Sequence, residues 1–134
     1  MENKRKYLFK DETYKVIGVA LEVHNILGPG FLEAGYHEAM EIEMGLRNIP
    51  FESHKALKIP YKDRILKQPY EADFLVYKEI IVEIKAADQL IGKHQAQVLH
   101  YLKATKKKVG LLINFGEESL KNKKICFIEE KIEK

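Results

Sequence analysis

Apolar side chains recur at the spacing of one helix face in three segments of the chain. This pattern predicts amphipathic helices over residues 13–27, 32–47 and 90–105. The Gly28-Pro29-Gly30 sequence ends the first helix, and Pro50 prevents the second from continuing. On the second predicted helix, one side carries the row Leu32, Tyr36, Ala39 and Leu46.

The remaining segments show the short apolar runs and the alternation that are typical of β-strands. The predicted strands cover residues 51–61, 71–77, 80–85, 109–113 and, as an optional last strand, 124–129. The second and third of these form a hairpin in this prediction. A strand, a helix and another strand in succession imply a right-handed crossover between parallel neighbours. We therefore predict an α/β protein with a mixed β-sheet flanked by helices, in the order α-α-β-β-β-α-β.

Length and composition are those of an ordinary globular protein. The 134 residues fit a single domain over 1–134, with 46% hydrophobic and 32% charged residues. Cys126 is the single cysteine, which excludes an intrachain disulfide and a cysteine-cluster zinc site and favours a core thiol. The sequence shows neither a signal-like stretch nor an apolar run long enough to span a membrane. We expect a protein of the reducing cytoplasm with no membrane partner.

The charge balance permits a polyanionic partner without establishing one. Lys and Arg number 23 against 20 Asp and Glu, which gives a net charge of +3. The densest basic groups are Lys4-Arg5-Lys6, Lys106-Lys107-Lys108 and the three lysines Lys121, Lys123 and Lys124. Neutralisation of phosphates by such groups gives salt-dependent binding of nucleic acid. A solvated charged surface is the alternative interpretation of each group.

Three charged residues interrupt the apolar strands of the predicted hairpin. Glu83 and Lys85 are two positions apart, so they project from the same face of their strand. A three-residue loop over 77–79 places Asp73 opposite Glu83, on that same face. A two-residue loop would instead place Asp73 opposite Ile84, on the other face. We predict an odd-numbered loop or a bulge, because that register brings the three charges together.

Adjacent carboxylates repel each other, and a bound cation relieves that repulsion. Mg²⁺ commonly takes one or two protein carboxylates and completes its shell with water and phosphate oxygens. Lys85 beside such an ion would orient or deprotonate an attacking water and neutralise charge on a phosphate. The alternative is a salt-bridge cluster of Asp73, Glu83 and Lys85 on a solvated sheet face. Spacing and alternation leave both interpretations open.

Charged and polar motifs follow one another in a defined order along the middle of the chain. Asp73 is followed after nine residues by Glu83-Ile84-Lys85, and Gln97 and Tyr101 lie one turn apart on the next predicted helix. Upstream lies the sequence Gly30-Phe31-Leu32-Glu33-Ala34-Gly35-Tyr36. This set resembles the PD-(D/E)xK nuclease superfamily, and the upstream motif is similar to the one that names its GxxExxY family.

The resemblance runs from about Val16 to Phe115 and implies a restriction-endonuclease-like core. Its implied metal ligands are Asp73, Glu83, Glu33 and the backbone carbonyl of Ile84. Its implied catalytic residues are Asp73, Glu83, Lys85, Glu33, Gln97 and Tyr101. The implied cofactor is Mg²⁺, with Mn²⁺ as an alternative. One departure is Ala72, which stands where the superfamily name has proline.

The resulting hypothesis is a Mg²⁺-dependent nuclease that hydrolyses phosphodiester bonds, with DNA as the favoured partner. A nucleic-acid-binding or partner-binding module of the same fold without turnover is the alternative, since a fold does not fix a function. His24 is a second-tier site candidate, and a satisfied core histidine is its other interpretation. The sequence leaves open internal or terminal cutting, DNA or RNA as substrate, and a monomer or a homodimer.

Overall fold

The helices and strands follow the order that the sequence predicts. A computed structural model describes residues 7–128 of the chain. Its helices are α1 (Lys10–Leu27), α2 (Glu33–Leu46) and α3 (Gly92–Thr105). Its strands are β1 (Phe51–Leu57), β2 (Pro60–Tyr61), β3 (Arg64–Ile65), β4 (Tyr70–Val76), β5 (Ile80–Lys85), β6 (Val109–Asn114) and β7 (Lys121–Cys126). The optional last strand is confirmed, although it begins at Lys121 rather than at Lys124, and its predicted end at Glu129 lies outside the described residues.

A five-stranded mixed sheet forms the centre of the fold. Its strand order is β1-β4-β5-β6-β7, in which β5 and β6 are parallel and all other neighbours are antiparallel. Helix α3 connects the two parallel strands, as a crossover requires. The predicted long strand over 51–61 is interrupted, because β1 ends at Leu57 and β2 pairs with β3 in a separate two-stranded sheet. The predicted α/β class, a mixed sheet flanked by helices, is confirmed.

Helices cover both faces of the sheet. One core lies between the sheet and the helices α1 and α2, and it includes Val82 and Ile84. The other core lies beneath α3, where Val98 and Leu102 pack with Ile81. Because both faces of the central strands are buried, their sequences are nearly continuous apolar runs. Within residues 7–128, no helix has the length and apolar character needed to cross a membrane.

Helix α2 buries part of the row that the sequence predicts: Tyr36 is buried and Ala39 is half-buried against the core, whereas Leu32 and Leu46 are exposed. Tyr36, Met40 and Met44 are fully buried, whereas Leu32 and Leu46 are 83% and 72% exposed. Leu32 is the N-cap residue with an extended backbone, so its side chain leaves the helical row. Leu46 lies two residues beyond Met44, about 200° around the helix axis, and therefore faces solvent.

The loop between β4 and β5 has the three residues that the sequence predicts. The paired residues are Val76 with Ile80, Leu75 with Ile81 and Phe74 with Val82. Tyr77 and Lys78 have positive φ angles of 55° and 63°, as the two central residues of a type I′ hairpin turn require. The two strands therefore run toward Asp73 and Glu83 in the register that sets these acids opposite each other.

Gly110 allows α3 to lie close to the sheet. A Cβ atom at this position would be 2.6 Å from the Val98 Cγ1 atom and 3.3 Å from the Ile81 carbonyl oxygen. Val98 is β-branched and fully buried, so it has little freedom to move away. We expect Gly110→Ala to lower the free energy of unfolding by about 1–3 kcal/mol, measured by urea denaturation.

The matched control for this substitution is Gly45→Ala on α2, where a Cβ atom would meet nothing within 4 Å. Removing a helical glycine at an open position is expected to leave stability unchanged or to raise it by up to about 1 kcal/mol. Equal stability of Gly110→Ala and the natural protein would contradict the close approach of α3.

Candidate active site

Glu83 is a buried acid in a central strand of the sheet. Its neighbours Val82 and Ile84 belong to the core beneath α1 and α2, and successive side chains of a strand face opposite sides. Glu83 and Lys85 therefore share the face covered by α3, as predicted. Glu83 is only 5% exposed, whereas Lys85, the last residue of β5, is half-buried.

Asp73 meets Glu83 where the pairing between β4 and β5 ends. The last paired residues are Phe74 and Val82. Beyond them, the Ile84 backbone N–H donates a hydrogen bond to Asp73 Oδ2 over 2.8 Å. The Asp73 side chain thus serves as acceptor for a backbone group of the neighbouring strand, which fixes its carboxylate beside β5.

The surroundings of the Glu83 carboxyl favour its neutral form when no cation is near. Burial raises its pKa to about 9, and the charge of Asp73 and a hydrogen bond with Asp73 add to the rise, while Lys85 opposes it. Glu83 Oε1 has no hydrogen-bond partner within residues 7–128. Buried polar atoms are rarely left without a partner. A cation would both use this oxygen and favour the ionised carboxylate.

Lys85 lies beside the two acids without pairing with them. No ion pair links its Nζ atom to Asp73 or Glu83 in the part of the chain that the structure describes. Its backbone carbonyl accepts a hydrogen bond of 2.8 Å from the Phe115 N–H, which holds the end of β5 next to the end of β6. The geometry therefore does not form the salt-bridge cluster that the sequence left as an alternative.

Helix α3 brings Tyr101 to the same face of the sheet. Burial and the charge of Glu83 raise the pKa of the Tyr101 hydroxyl, and a hydrogen bond with Gln97 opposes that rise. Gln97 Nε2 lies 3.3 Å from the Tyr101 hydroxyl oxygen, one helical turn away. Gln97 is exposed, so the pair extends from the edge of the acids toward solvent.

The turn before α2 explains the spacing of the upstream motif. Gly30 has a φ of 111°, a conformation that side chains other than that of glycine rarely adopt. The Tyr36 hydroxyl donates to the Gly28 carbonyl over 2.6 Å, and the Tyr36 ring stacks on Phe115 with centroids 4.6 Å apart. Tyr36 thus anchors the turn to the end of β6. This anchoring places Glu33 at the first residue of α2.

A cavity of about 420 Å³ opens next to Asp73. The side chains that line it include Glu33, Glu38, Glu41, His37 and His54. Glu33 therefore shares a cavity with Asp73, whereas Glu83 lies behind it in the sheet. Among the six predicted side chains, the structure brings Asp73, Glu83, Lys85 and Tyr101 into one neighbourhood. Glu33 and Gln97 lie at its borders.

Two histidines in this cavity had no predicted role. His37 Nε2 is 3.2 Å from the Asp73 carbonyl oxygen, and the His37 and His54 rings stack with centroids 4.3 Å apart. The sequence does indicate that His37 lies near Glu33. The three residues Glu33, His37 and Glu41 follow one another at intervals of four and therefore share one helix face. No local signal marks His54, because its place depends on the pairing of β1 with β4.

His24 occupies a different part of the fold. It is buried on α1, its Nε2 lies 2.9 Å from the Glu117 carbonyl oxygen, and its ring lies 6.3 Å from that of Phe115. This histidine does not line the cavity beside Asp73. The contacts of His24 are those of a satisfied core histidine.

The basic groups lie at different ends of the sheet. The strand registers place Lys123 level with Glu83 and Lys121 level with Lys85, two strands away. Lys107 Nζ donates to the Lys78 carbonyl over 2.9 Å, at the hairpin loop and thus at the opposite end of β5 from Lys85. Lys123 Nζ lies 3.5 Å from Gln95 Oε1, near the start of α3. The group over 4–6 lies outside the described residues.

The acids at the strand ends fit a divalent cation. Within residues 7–128, no three side chains of His, Cys, Asp or Glu come close enough together to hold a metal ion. Asp73 and Glu83 would supply two carboxylates, and the Ile84 carbonyl is the third oxygen that the resemblance implies. Mg²⁺ commonly binds through one or two carboxylates and keeps several waters. The unpartnered Glu83 Oε1 is the observation that supports this fit.

Comparisons with known proteins concern the fold and the family of the chain. No curated protein matches the sequence. Among solved structures, the crystal structure of SSO0001 is similar with a TM-score of 0.53 and 16% identity, over 94% of this chain and 64% of that chain. The chain thus spans less than two thirds of that protein's length, and the likeness concerns the fold alone. The family model of the PD-(D/E)XK nuclease superfamily matches residues 10–126. Because this match covers most of the sequence, the chain belongs to the PD-(D/E)XK nuclease superfamily.

Proposed function

We propose that this protein is a divalent-metal-dependent nuclease that hydrolyses phosphodiester bonds of DNA. The observation that carries the proposal is the buried Glu83 carboxyl, which faces Asp73 and has an oxygen without a partner. A purely structural role would favour an apolar or fully paired residue at this position, since a half-satisfied buried acid destabilises a fold. Membership of the nuclease superfamily supports the same reaction class.

Asp73, Glu83 and the Ile84 carbonyl would hold the cation, which we assign as Mg²⁺ with Mn²⁺ as a substitute. When bound, the cation supplies Lewis acidity toward a phosphate oxygen and lowers the pKa of a water molecule. Glu33, which shares the cavity with Asp73, would add a further carboxylate at its edge.

Lys85 provides the positive charge of the site. Its ammonium group lies at the end of β5 and has no carboxylate partner within residues 7–128. It would orient the attacking water and stabilise negative charge that develops on the phosphate. Tyr101 and Gln97, which lie on α3 across the same face, would donate hydrogen bonds to the substrate backbone.

The test is cleavage of linear, nicked, single-stranded and branched DNA, and of RNA, in Mg²⁺ or Mn²⁺. We expect the natural protein to cleave at least one DNA substrate. Asp73→Asn should lower that rate by at least about 100-fold, because the neutral amide weakens cation binding. EDTA should abolish the activity of the natural protein.

The outcomes separate the proposed nuclease from its alternative. Absence of cleavage on every substrate with either metal would reject the nuclease. Salt-dependent binding without cleavage would instead favour a nucleic-acid-binding module of the same fold. Cleavage of RNA alone would correct the proposed substrate but not the reaction.

A further inference from the structure

The peptide unit of Asp73 lies at an interruption of two strand pairings. On the β1 side, Ser53 pairs with Phe74 and Lys55 pairs with Ala72, while Asp73 is skipped. Its counterpart His54 has a φ of 50°, a left-handed conformation that turns its backbone away from the ladder. On the β5 side, the pairing has already ended at Phe74. Asp73 therefore has no paired residue on either neighbouring strand.

His37 contacts the Asp73 carbonyl from outside the sheet. Its Nε2 lies 3.2 Å from the Asp73 carbonyl oxygen. A carbonyl oxygen only accepts hydrogen bonds, so His37 must donate from Nε2. The two residues are 36 positions apart in sequence, and their contact joins α2 to β4 at Asp73, a proposed metal ligand.

The surroundings of His37 fix the orientation of its ring. The ring is stacked between Phe74 at 4.2 Å and His54 at 4.3 Å, with interplanar angles of 14° on both sides. His37 Nδ1 lies 3.7 Å from a Glu41 carboxylate oxygen, and the other oxygen of Glu41 accepts a hydrogen bond from the Ser53 hydroxyl over 2.6 Å. Packing and polar contacts together hold the Nε2–H toward Asp73.

We propose that His37 is a positioning residue of the candidate metal site, which holds the Asp73 peptide so that its carboxylate stays beside β5 and Glu83. The inference rests on the proposed function, because it gives a role to a residue that supports a metal ligand. The Asp73 residue is fixed at two points, by His37 at its backbone carbonyl and by the Ile84 N–H at its carboxylate. His54 contributes by turning its own backbone away and stacking on His37.

The variants that test this role are His37→Phe, His37→Gln and His37→Asn. Phenylalanine keeps an aromatic ring in the stack but removes the donor. Glutamine places an amide N–H close to the position of Nε2, whereas asparagine is too short to reach the Asp73 carbonyl. The Gln and Asn pair also keeps the test valid if His37→Phe does not fold.

The first readout is the affinity for Mn²⁺, measured by titration of the full chain. We expect His37→Phe and His37→Asn to bind Mn²⁺ about tenfold to 100-fold more weakly, as is typical when a group that orients a metal ligand is removed. We expect His37→Gln to remain within about threefold of the natural protein. If His37→Gln loses as much affinity as His37→Phe, or if none of them loses any, the proposal is overturned.

The second readout is hydrogen exchange of the Ile84 amide, which needs neither metal nor cleavage. Loss of the His37 contact should release the Asp73 carboxylate and lower the protection of Ile84 at least about tenfold. The amides of the central strand β6 serve as the internal control, because a general loss of stability would lower their protection too. Unchanged protection of Ile84 in His37→Phe and His37→Asn would overturn the proposal.

Different results would reject the role of His37 and the proposed nuclease activity. If the natural protein cleaves DNA and His37→Phe cleaves it with the same kcat and KM, the role of His37 is wrong and the nuclease stands. If the natural protein cleaves nothing, but His37→Phe and His37→Asn lose Mn²⁺ affinity and Ile84 protection while His37→Gln keeps them, the role of His37 stands and the nuclease is wrong. A true positioning defect lowers kcat and leaves KM nearly unchanged.

Discussion

Replacing Lys85 with methionine is expected to lower the kcat of DNA cleavage by about 100-fold to 10,000-fold. Methionine keeps most of the length and the apolar stem of the side chain but removes the ammonium group. Because no carboxylate pairs with Lys85 among residues 7–128, the loss should fall on the reaction rather than on folding. Cleavage rates at saturating DNA and Mn²⁺ measure the effect.

The matched control is Lys78→Met, at the loop end of the same hairpin. Lys78 is exposed and contributes only its backbone carbonyl to a contact with Lys107. We expect the Lys78→Met protein to cleave DNA at the rate of the natural protein. Mn²⁺ affinity should stay within a fewfold for Lys85→Met, in contrast to Asp73→Asn. A Lys85→Met protein that cleaves at the rate of Lys78→Met would exclude Lys85 from the reaction.

The second large effect concerns the stability of the metal-free protein as the pH rises. Burial beside Asp73 raises the pKa of Glu83 from 4.5 to about 9. Between these two values the folded state keeps a proton that the unfolded chain has lost. Its stabilising contribution is complete below about pH 4.5 and is lost progressively as the pH approaches 9. Between these two pH values, the free energy of unfolding should therefore fall by an amount on the order of 1 kcal/mol per pH unit from this group.

Glu83→Gln isolates this contribution. The glutamine amide does not titrate and has nearly the shape of the protonated acid. The free energy of unfolding of Glu83→Gln minus that of the natural protein should therefore rise with pH by about the same slope. Denaturant unfolding in EDTA at pH 6, 7 and 8 measures the difference. Saturating Mn²⁺ should flatten the slope of the natural protein, because the cation favours the ionised carboxylate. Parallel stability curves for the two proteins in EDTA would contradict the raised pKa of Glu83.

The order of the elements and the register of the hairpin were predictable because they depend on neighbours in sequence. The loop over 77–79 sets which residues of β4 and β5 meet, and the turn residues Tyr77 and Lys78 adopt the backbone that such a loop needs. Alternation alone places Glu83 and Lys85 on one face. These features therefore follow from local geometry.

The burial of Glu83 was not predictable in the same way. The sequence allowed a solvated sheet face, whereas α3 covers that face and leaves Glu83 5% exposed. The pKa of Glu83 is raised because other parts of the chain pack over its carboxyl. The spacing of residues in the sequence does not reveal that packing. The same reason applies to α2, where the N-cap geometry of Leu32 and the rotation at Leu46 placed both side chains in solvent.

The sequence by itself determined the fold class, the hairpin register that brings Asp73 toward Glu83, and the shared strand face of Glu83 and Lys85, because periodicity and loop length act over a few residues. The tertiary structure decided which atoms hold these groups. The contact of His37 with the Asp73 carbonyl and the left-handed backbone of His54 arise where α2, β1 and β4 meet. Contacts between segments distant in sequence depend on packing of the whole chain, so no local pattern encodes them.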